Sequence, residues 1–320
     1  MLKKVLITGV SGFAGSYLAE HLLSKKEYSI SGTYLTQDSL KLVASIQDRL
    51  ELIQADLTKK DKVFGLINLV KPDYIFHLAA LSSPKESFKD PAETVMNNIL
   101  AELYLLESLK KESLLKTRIL VISSADIYGM VSKNDLPIDE NTKLMPVDPY
   151  SVSKIAQDFL GLQYFLSQNL QVIRVRPFNH IGPRQSPSFV LPSFCKRVAE
   201  IENGDTEPIL RVGNLESKRD FTDVRDMVKA YALILEKGKP GDVYNIGSGV
   251  SYEISDILEK LLSFSKVKIK VETDKSLFRP VDIPELRCDN SKFKKATGWE
   301  PIIPIEETIK NTLDYWRNII

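Results

Sequence analysis

Fifteen residues at the start of the chain limit its fold more than any others. Val5-Leu6-Ile7-Thr8 is short, apolar and partly β-branched, the pattern of a buried strand. It runs into Gly9-Val10-Ser11-Gly12-Phe13-Ala14-Gly15, and Leu18, Leu22 and Leu23 follow at helical spacing. Strand, glycine turn and helix in this order predict a βα unit that binds a dinucleotide. Gly9, Gly12 and Gly15 have separate tasks there: a tight turn, close approach of the backbone to a pyrophosphate, and close packing of helix on strand. The helix N-terminus then faces the phosphates. The spacing is G-x-x-G-x-x-G rather than G-x-G-x-x-G.

Further buried strands are expected at 28–34, 50–55, 74–80, 118–122, 171–176 and 243–246, with a long helix from about Pro91 to Lys111. Strands alternating with helices imply a parallel, doubly wound α/β sheet of Rossmann type. From Pro177, prolines at 177, 183, 187 and 192 interrupt the pattern, and a smaller interleaved part is expected to begin there. Residues 1–177 plus about 213–247 are assigned to the nucleotide-binding domain. About 178–212 plus 248–320 form a smaller C-terminal substrate-binding domain. The chain is expected to rejoin the first domain at Arg219-Asp220-Phe221. Asn97 and Asn98 lie within the long helix, where exposure to solvent is the simplest reason for them.

Composition narrows the function. A formal net charge of +1 with no basic run gives nothing for nucleic acid to bind. No apolar run reaches the roughly 18 residues of a membrane span, and the strand-like start leaves no room for a signal peptide, so a cytoplasmic location is expected. Cys195 and Cys288 are far apart and read as free thiols, and His21, His77 and His180 form no metal motif. His77, at a strand end, reads as a residue making a structural hydrogen bond.

Asp148-Pro149-Tyr150-Ser151-Val152-Ser153-Lys154 opens a further helical pattern. Tyr150 and Lys154, four apart, share a helix face. An ammonium near a phenol is expected to pull its pKa down from about 10, giving a proton donor and acceptor for a carbonyl/alcohol pair. Ser124 follows the 118–122 strand at its carboxyl end, where ligands of open parallel sheets bind. Its hydroxyl is placed to bond a substrate oxygen. After the second strand comes Leu35-Thr36-Gln37, with Asp38 late, so no carboxylate stands ready for the ribose 2′-hydroxyl of NAD. NADP(H) is therefore weakly preferred over NAD(H). Asp56, at the end of the third strand, could equally be the N-cap of the next helix.

Taken in order, Thr8-Gly9-x-x-Gly12-Phe13-x-Gly15, Asp56-Leu57, His77-Leu78-Ala79-Ala80, Ser123-Ser124-Ala125-x-x-Tyr128-Gly129, Tyr150-x-x-x-Lys154, Arg174-x-Arg176-x-Phe178-Asn179, Arg219-Asp220-Phe221, Asn245-x-Gly247 and Arg279-Pro280 resemble the extended short-chain dehydrogenase/reductases. These are the nucleotide-sugar epimerases, dehydratases and reductases, and the resemblance covers almost the whole chain. It implies a catalytic set of Ser124, Tyr150 and Lys154, with Tyr150 as general acid/base. It implies cofactor contacts from Gly9, Gly12, Phe13, Gly15, Asp56, Leu57, Leu78, Ala79, Ala80, Tyr150 and Lys154. Ser83, Ser124, Asn179, Val190, Arg219 and Arg279 would hold the sugar nucleotide, two arginines suiting a diphosphate. A homodimer through a four-helix bundle, built on the helix from Pro91 and the Tyr150 helix, is also implied.

Within that family, Phe178-Asn179-His180-Ile181-Gly182-Pro183, the stretch from Val212 to Asp226 and Arg279-Pro280-x-x-x-Pro284 resemble the bacterial GDP-6-deoxy-4-keto-D-mannose reductases. The implied reaction is reduction of the C4 ketone of a GDP-sugar, GDP-4-dehydro-6-deoxy-D-mannose, to GDP-D-rhamnose with NAD(P)H. The rival is GDP-mannose 4,6-dehydration, which also needs a base at C5 and an acid at C6, supplied in dehydratases by residues after the active-site Ser/Thr and ending in glutamate. Here that segment is Ala125-Asp126, a carboxylate one methylene shorter, and about 1 Å of misplacement can cost two orders of magnitude. Dehydratases also carry Thr-Arg-Lys after Phe-Val, whereas Phe189-Val190 leads here into Leu191-Pro192-Ser193. Another nucleotide-sugar epimerase or dehydratase, and a non-catalytic NAD(P)-binding sensor, are the remaining alternatives.

Overall fold

The structure is a computed structural model that describes residues 2–278 and 281–320. The first half of the chain alternates as its hydrophobic pattern predicts. In order come β1 (Lys3–Thr8), α1 (Phe13–Lys25), β2 (Tyr28–Tyr34), β3 (Glu51–Gln54), α2 (Lys60–Val70), β4 (Tyr74–His77), the short α3 (Pro84–Ser87), α4 (Pro91–Lys111), β5 (Arg118–Ile122), α5 (Pro149–Gln168) and β6 (Gln171–Pro177). The second half holds β7 (Asn179–Ile181), α6 (Val190–Asn203), β8 (Ile209–Val212), β9 (Lys218–Asp223), α7 (Val224–Lys237), β10 (Val243–Ile246), β11 (Ser251–Glu253), α8 (Ile254–Ser263), β12 (Lys270–Thr273), β13 (Glu285–Leu286), α9 (Ser291–Thr297) and α10 (Ile305–Arg317).

Seven strands make one sheet in the order β10-β6-β5-β4-β1-β2-β3, every neighbouring pair parallel. The direction of chain progression reverses between β1 and β4, and ligands of such sheets bind at the carboxyl ends beside that switch. Helices cover both faces. Leu18 and Leu22 of α1 meet Tyr231 and Ile234 of α7 in the core of one face. On the other face, Ile67 of α2, Leu105 and Leu109 of α4 and Tyr164 of α5 form a second core. Each helix buries one stripe, as its apolar spacing dictates.

A small sheet is centred on β9, which pairs antiparallel with β11 and parallel with β13 and β7. The parallel pair β8 and β12 stands apart. Helices α6, α8 and α10 enclose a third core around Phe194, Leu261, Leu313 and Trp316. The expected return of the chain at Arg219 is corrected here. Lys218–Asp223 is the centre of the small sheet, and it is α7 and β10 that rejoin the large one. Phe221 and Thr222 are both buried, so the residues show no alternation that would have announced which sheet they join. Phe293 and Trp299, near the C-terminus, also pack under the large sheet, ring edge to ring face at 5.3 Å.

A buried ionic knot ties α5 to β6. Asp158 accepts from Arg174 Nη1 at 2.7 Å and from Arg176 Nε at 2.8 Å, all three side chains being almost wholly out of solvent. Arg176 also donates to the Tyr128 hydroxyl at 3.0 Å and the Glu140 carbonyl at 3.0 Å. Tyr128 in turn donates to Asn245 Oδ1 on β10 at 2.7 Å.

Candidate active site

The Tyr150 helix starts sharply. Asp148 caps it, accepting from Ser151 N at 2.7 Å, and Pro149 occupies the first turn. Tyr150 and Lys154 sit one turn apart, both buried, beside the carboxyl end of β5. Ser124 follows that strand two residues on and caps the 3₁₀ turn Ala125–Tyr128, accepting from Asp126 N at 3.1 Å. Its hydroxyl acts on the Tyr150 phenol as a hydrogen-bonding influence that lowers the phenol's pKa. The three residues expected to act together are therefore brought to one place.

The electrostatics differ from the expectation for Tyr150. Burial pushes the phenol above the ordinary tyrosine range, the Asp126 carboxylate adds to the rise, and the Ser124 hydrogen bond opposes it. The lowering anticipated from Lys154 does not outweigh burial. Lys154 Nζ donates to the Ile122 carbonyl and to Gln157 Oε1, each at 2.8 Å, and lies 5.9 Å from the centre of the Tyr150 ring. Burial pushes Lys154 itself down to about 8.

Behind Lys154 runs a polar chain. Gln157 Nε2 stands 3.4 Å from His77 Nε2, and His77 Nδ1 stands 2.9 Å from Thr8 Oγ1. One tautomer serves both contacts: Gln157 donates to Nε2, and Nδ1–H donates to Thr8. Burial holds His77 neutral, pushed down to about 3. Thr8 Oγ1 also accepts from Ala79 N at 3.2 Å, which fixes the loop after β4 against the glycine turn. His77 thus makes the structural hydrogen bond read for it.

The glycine turn is shaped as a phosphate cradle. Gly9 has φ +70°, a conformation that glycine adopts without strain. A Cβ on Gly9 would stand 3.0 Å from the backbone of Ala79, and one on Gly15 would stand 2.2 Å from the Gly9 carbonyl. Gly12 precedes α1 without a side-chain cap, and the first turn carries no acidic residue, so its N–H groups point at an uncluttered turn. These residues fit a dinucleotide pyrophosphate. Gly15→Ala is expected to destabilise the protein by about 1–3 kcal/mol through this backbone clash and to abolish tight NADPH binding. Thermal melting and a fluorescence titration with NADPH check both.

The other expected cofactor residues line the same edge. Leu78, Ala79 and Ala80 follow β4, half-buried, and Leu57 is buried after β3. Asp56 is not the cap of α2, which begins at Lys60. It forms a turn, Oδ1 accepting from Thr58 N at 2.9 Å and Thr58 Oγ1 at 2.6 Å, and the hydroxyl bond lowers its pKa. Phe13 opens α1 and stacks on His180, ring planes 2° apart. The Ser11 and Ser39 hydroxyls meet at 2.9 Å, joining the glycine turn to the segment after β2.

The expected substrate residues lie on several different elements. Ser83 caps α3, Asn179 pairs with Phe221 in the small sheet, Val190 begins α6, and Arg219 lies on β9. All four are half-buried. Arg279 lies outside the described residues.

Comparison with known proteins bears on this geometry. Residues 6–312 match the family described as GDP-mannose 4,6 dehydratase. The chain belongs to the GDP-mannose 4,6-dehydratase family. Among its curated relatives is the GDP-6-deoxy-D-mannose reductase of Pseudomonas aeruginosa, 33% identical over 99% of this chain and 98% of the relative. The GDP-mannose 4,6-dehydratase of Yersinia enterocolitica is 31% identical over 96% of this chain and 91% of its own. The solved structure of RMD from Pseudomonas aeruginosa complexed with NADPH superimposes with a TM-score of 0.86 at 33% identity, covering 99% of this chain and 100% of that one. A UDP-glucuronic acid 4-epimerase from Bacillus cereus, in complex with UDP-glucuronic acid and NAD, gives 0.87 at 26% identity over 99% and 100%. Members of the family are thus nicotinamide-dependent nucleotide-sugar enzymes, and the Rossmann-type fold is shared across them.

Two residues of this family member's site were not identified from the sequence. Asn98 is fully buried rather than solvated. Its Oδ1 accepts from Leu81 N at 2.8 Å, while Nδ2 donates to Leu81 O at 3.1 Å and Ser153 Oγ at 2.9 Å. It therefore ties the loop after β4 to the Tyr150 helix. Glu102, one turn later, faces the same space without exposure. Their spacing of four was a signal that both lie on one helix face.

Proposed function

We propose that this protein reduces the C4 ketone of GDP-4-dehydro-6-deoxy-D-mannose to GDP-D-rhamnose with NAD(P)H. The observation that carries the reading is the buried Tyr150 phenol, kept protonated and set beside Ser124 at the carboxyl edge of the sheet. A ketone reduction needs an acid at the oxygen, and a phenol held in its neutral form at working pH is in the donating state. The named relative from Pseudomonas aeruginosa, aligned over nearly the full length of both chains, supports the substrate class.

Bound NADPH supplies the hydride. Tyr150 gives its proton to the C4 oxygen, and the Ser124 hydroxyl bonds the same oxygen and polarises the carbonyl. Lys154, positive below about 8, places its charge next to the phenol and the nicotinamide ribose. Gly9, Gly12, Phe13 and Gly15 would take the pyrophosphate side, Asp56 and Leu57 the adenine, and Leu78, Ala79 and Ala80 the wall between. Ser83, Asn179, Val190, Arg219 and Arg279 would hold the GDP-sugar, with the part formed by about 178–212 and 248–320 closing over it. NADPH is preferred over NADH because Leu35, Thr36 and Gln37 after β2 put no carboxylate where a 2′-phosphate would lie.

A second reading is GDP-mannose 4,6-dehydration, favoured by one observation: the Asp126 carboxylate acts electrostatically on Tyr150. One assay separates the two. The protein is given GDP-mannose alone, or the 4-keto-6-deoxy sugar with NADPH or NADH, and products are identified by NMR. Loss of reduced cofactor with the keto sugar alone supports the reductase. Conversion of GDP-mannose without net cofactor consumption overturns it.

The protein is also proposed to be a cytoplasmic homodimer through α4 and α5. Their inner faces cover the sheet, yet Met96, Val152, Phe159 and Leu166 remain exposed on them, Leu166 at 69%. Phe159, Leu162 and Leu166 also line a shallow groove on α5. Pairing with a second copy would bury this apolar strip. Replacing both Phe159 and Leu166 by glutamate is expected to yield monomers at micromolar concentration by light scattering, where the parent protein is dimeric. Among the described residues no helix is long and apolar enough to cross a membrane.

A further inference from the structure

Strand β9 carries a carboxylate that the reaction above does not use. Asp220 is fully buried. Its Oδ1 accepts from Ser248 N at 2.8 Å and Ser248 Oγ at 2.6 Å, and its Oδ2 from Gly249 N at 2.8 Å and Cys288 N at 3.1 Å. Four donors around one group suit an ionised carboxylate, which only accepts. Ser248 and Gly249 join β10 of the large sheet to β11 of the small one, and Cys288 follows β13. Gly247 lies against the same group: a Cβ there would stand 2.6 Å from Cys288 Cβ and 3.1 Å from Asp220 Oδ2. One carboxylate thus gathers both neighbours of β9 and the end of a large-sheet strand.

Next to it on β9 stands Arg219, paired with Tyr252 of β11 on one side and Leu286 of β13 on the other. Its Nη1 donates to the Lys218 carbonyl at 2.8 Å, so the guanidinium is fastened to the β9 backbone and its place follows that of the strand. Strand β11 has three residues and β13 two, too few ladder bonds to hold β9 in place unaided. We propose that Asp220 is a positioning residue for the sugar nucleotide: it clamps the chain before β11 and after β13 onto β9 and thereby sets where the Arg219 guanidinium is presented. The inference rests on the assignment of Arg219 to the diphosphate of the sugar nucleotide.

The test replaces Asp220 by asparagine, which keeps the shape but in either orientation turns its NH2 group toward a backbone N–H donor. GDP, the probe for the diphosphate, is titrated by calorimetry, and NADPH by fluorescence without substrate. D220N is expected to weaken GDP by about tenfold or more, the worth of one charge-assisted hydrogen bond. NADPH affinity should stay within about twofold, since the glycine turn shares no partner with Asp220. Kinetics with the keto sugar should show the same split, KM raised and kcat kept within about threefold. A cycle with Arg219→Ala separates positioning from packing alone. In the R219A background the same substitution should change GDP affinity by less than about twofold, because the group it positions is gone. Additive losses in the cycle overturn the proposal. So does an unchanged GDP affinity in D220N, and so does an equal fall for GDP and NADPH, the mark of general loosening. Should D220N fail to fold, Ser248→Ala removes one of the four bonds and must weaken GDP by about threefold with NADPH unmoved; an unmoved GDP affinity overturns the proposal. A wild type that binds NADPH but not GDP overturns the sugar-nucleotide reading, and the proposal with it. If it binds GDP without reducing the keto sugar, the reductase reading falls while the comparison at Asp220 stands.

Discussion

Tyr150→Phe is expected to lower kcat for the keto sugar by about 10³-fold while leaving KM for the sugar nucleotide and NADPH affinity within about threefold. The substitution removes one oxygen from a buried ring and nothing else, so packing is kept, and a positioned general acid contributes on the order of 10²–10⁴ in rate. Steady-state kinetics with the 4-keto substrate check it. A phenylalanine variant retaining a tenth of the activity would assign the proton to another group, with Ser124 next in line. The pH dependence carries the same logic. Burial and Asp126 hold the Tyr150 phenol above its ordinary range, so the donor form persists through neutral pH and the reduction should not weaken on that account up to about pH 8. The first loss on the alkaline side belongs to Lys154, which burial brings to about 8. The reverse oxidation needs the phenolate and should rise with pH over the same interval.

Asp158→Ala is expected to be the most destabilising single change discussed here, by about 3–5 kcal/mol, because it strands two buried guanidinium groups without a counter-ion. Arg174 keeps the Gly241 carbonyl at 2.9 Å, and Arg176 keeps Tyr128 and Glu140, but none of these carries the opposing charge. The burial of all three side chains separates this knot from the surface pairs, which contribute little. Urea denaturation of the two proteins checks it, and a loss under 1 kcal/mol would mean that water reaches the arginines. Because Tyr128 lies beside the Ser124 turn, kcat in folded Asp158→Ala should fall as well.

Much of this was legible beforehand, for identifiable reasons. The βα units have long apolar runs with one period, so α4 and the strands beside the glycine turn emerge directly. Tyr150 and Lys154 could be paired because helix geometry alone puts i and i+4 together. What Lys154 would touch could not be read, since Ile122 and Gln157 hold it through a strand carbonyl and a residue three positions on. Asn98 and Glu102 went unread because a polar residue on a helix is ordinarily solvated, and only tertiary packing reverses that. The small sheet was hardest. Strands of two or three residues such as β13 and β7 hold too few side chains for any alternation to register.

The order of strands has a consequence for a chain emerging from the ribosome. The outer strand β10 pairs with β6 through Val243↔Arg174 and its neighbours, a separation of 243 − 174 = 69 residues. Until β10 is made, the open edge of β6 presents unpaired backbone groups next to apolar Val172 and Ile173. At about 5–20 residues per second that interval lasts roughly 3–14 s. Every nascent copy thus passes through a window in which it can recruit a stray strand, and chaperone demand during synthesis should centre on that interval.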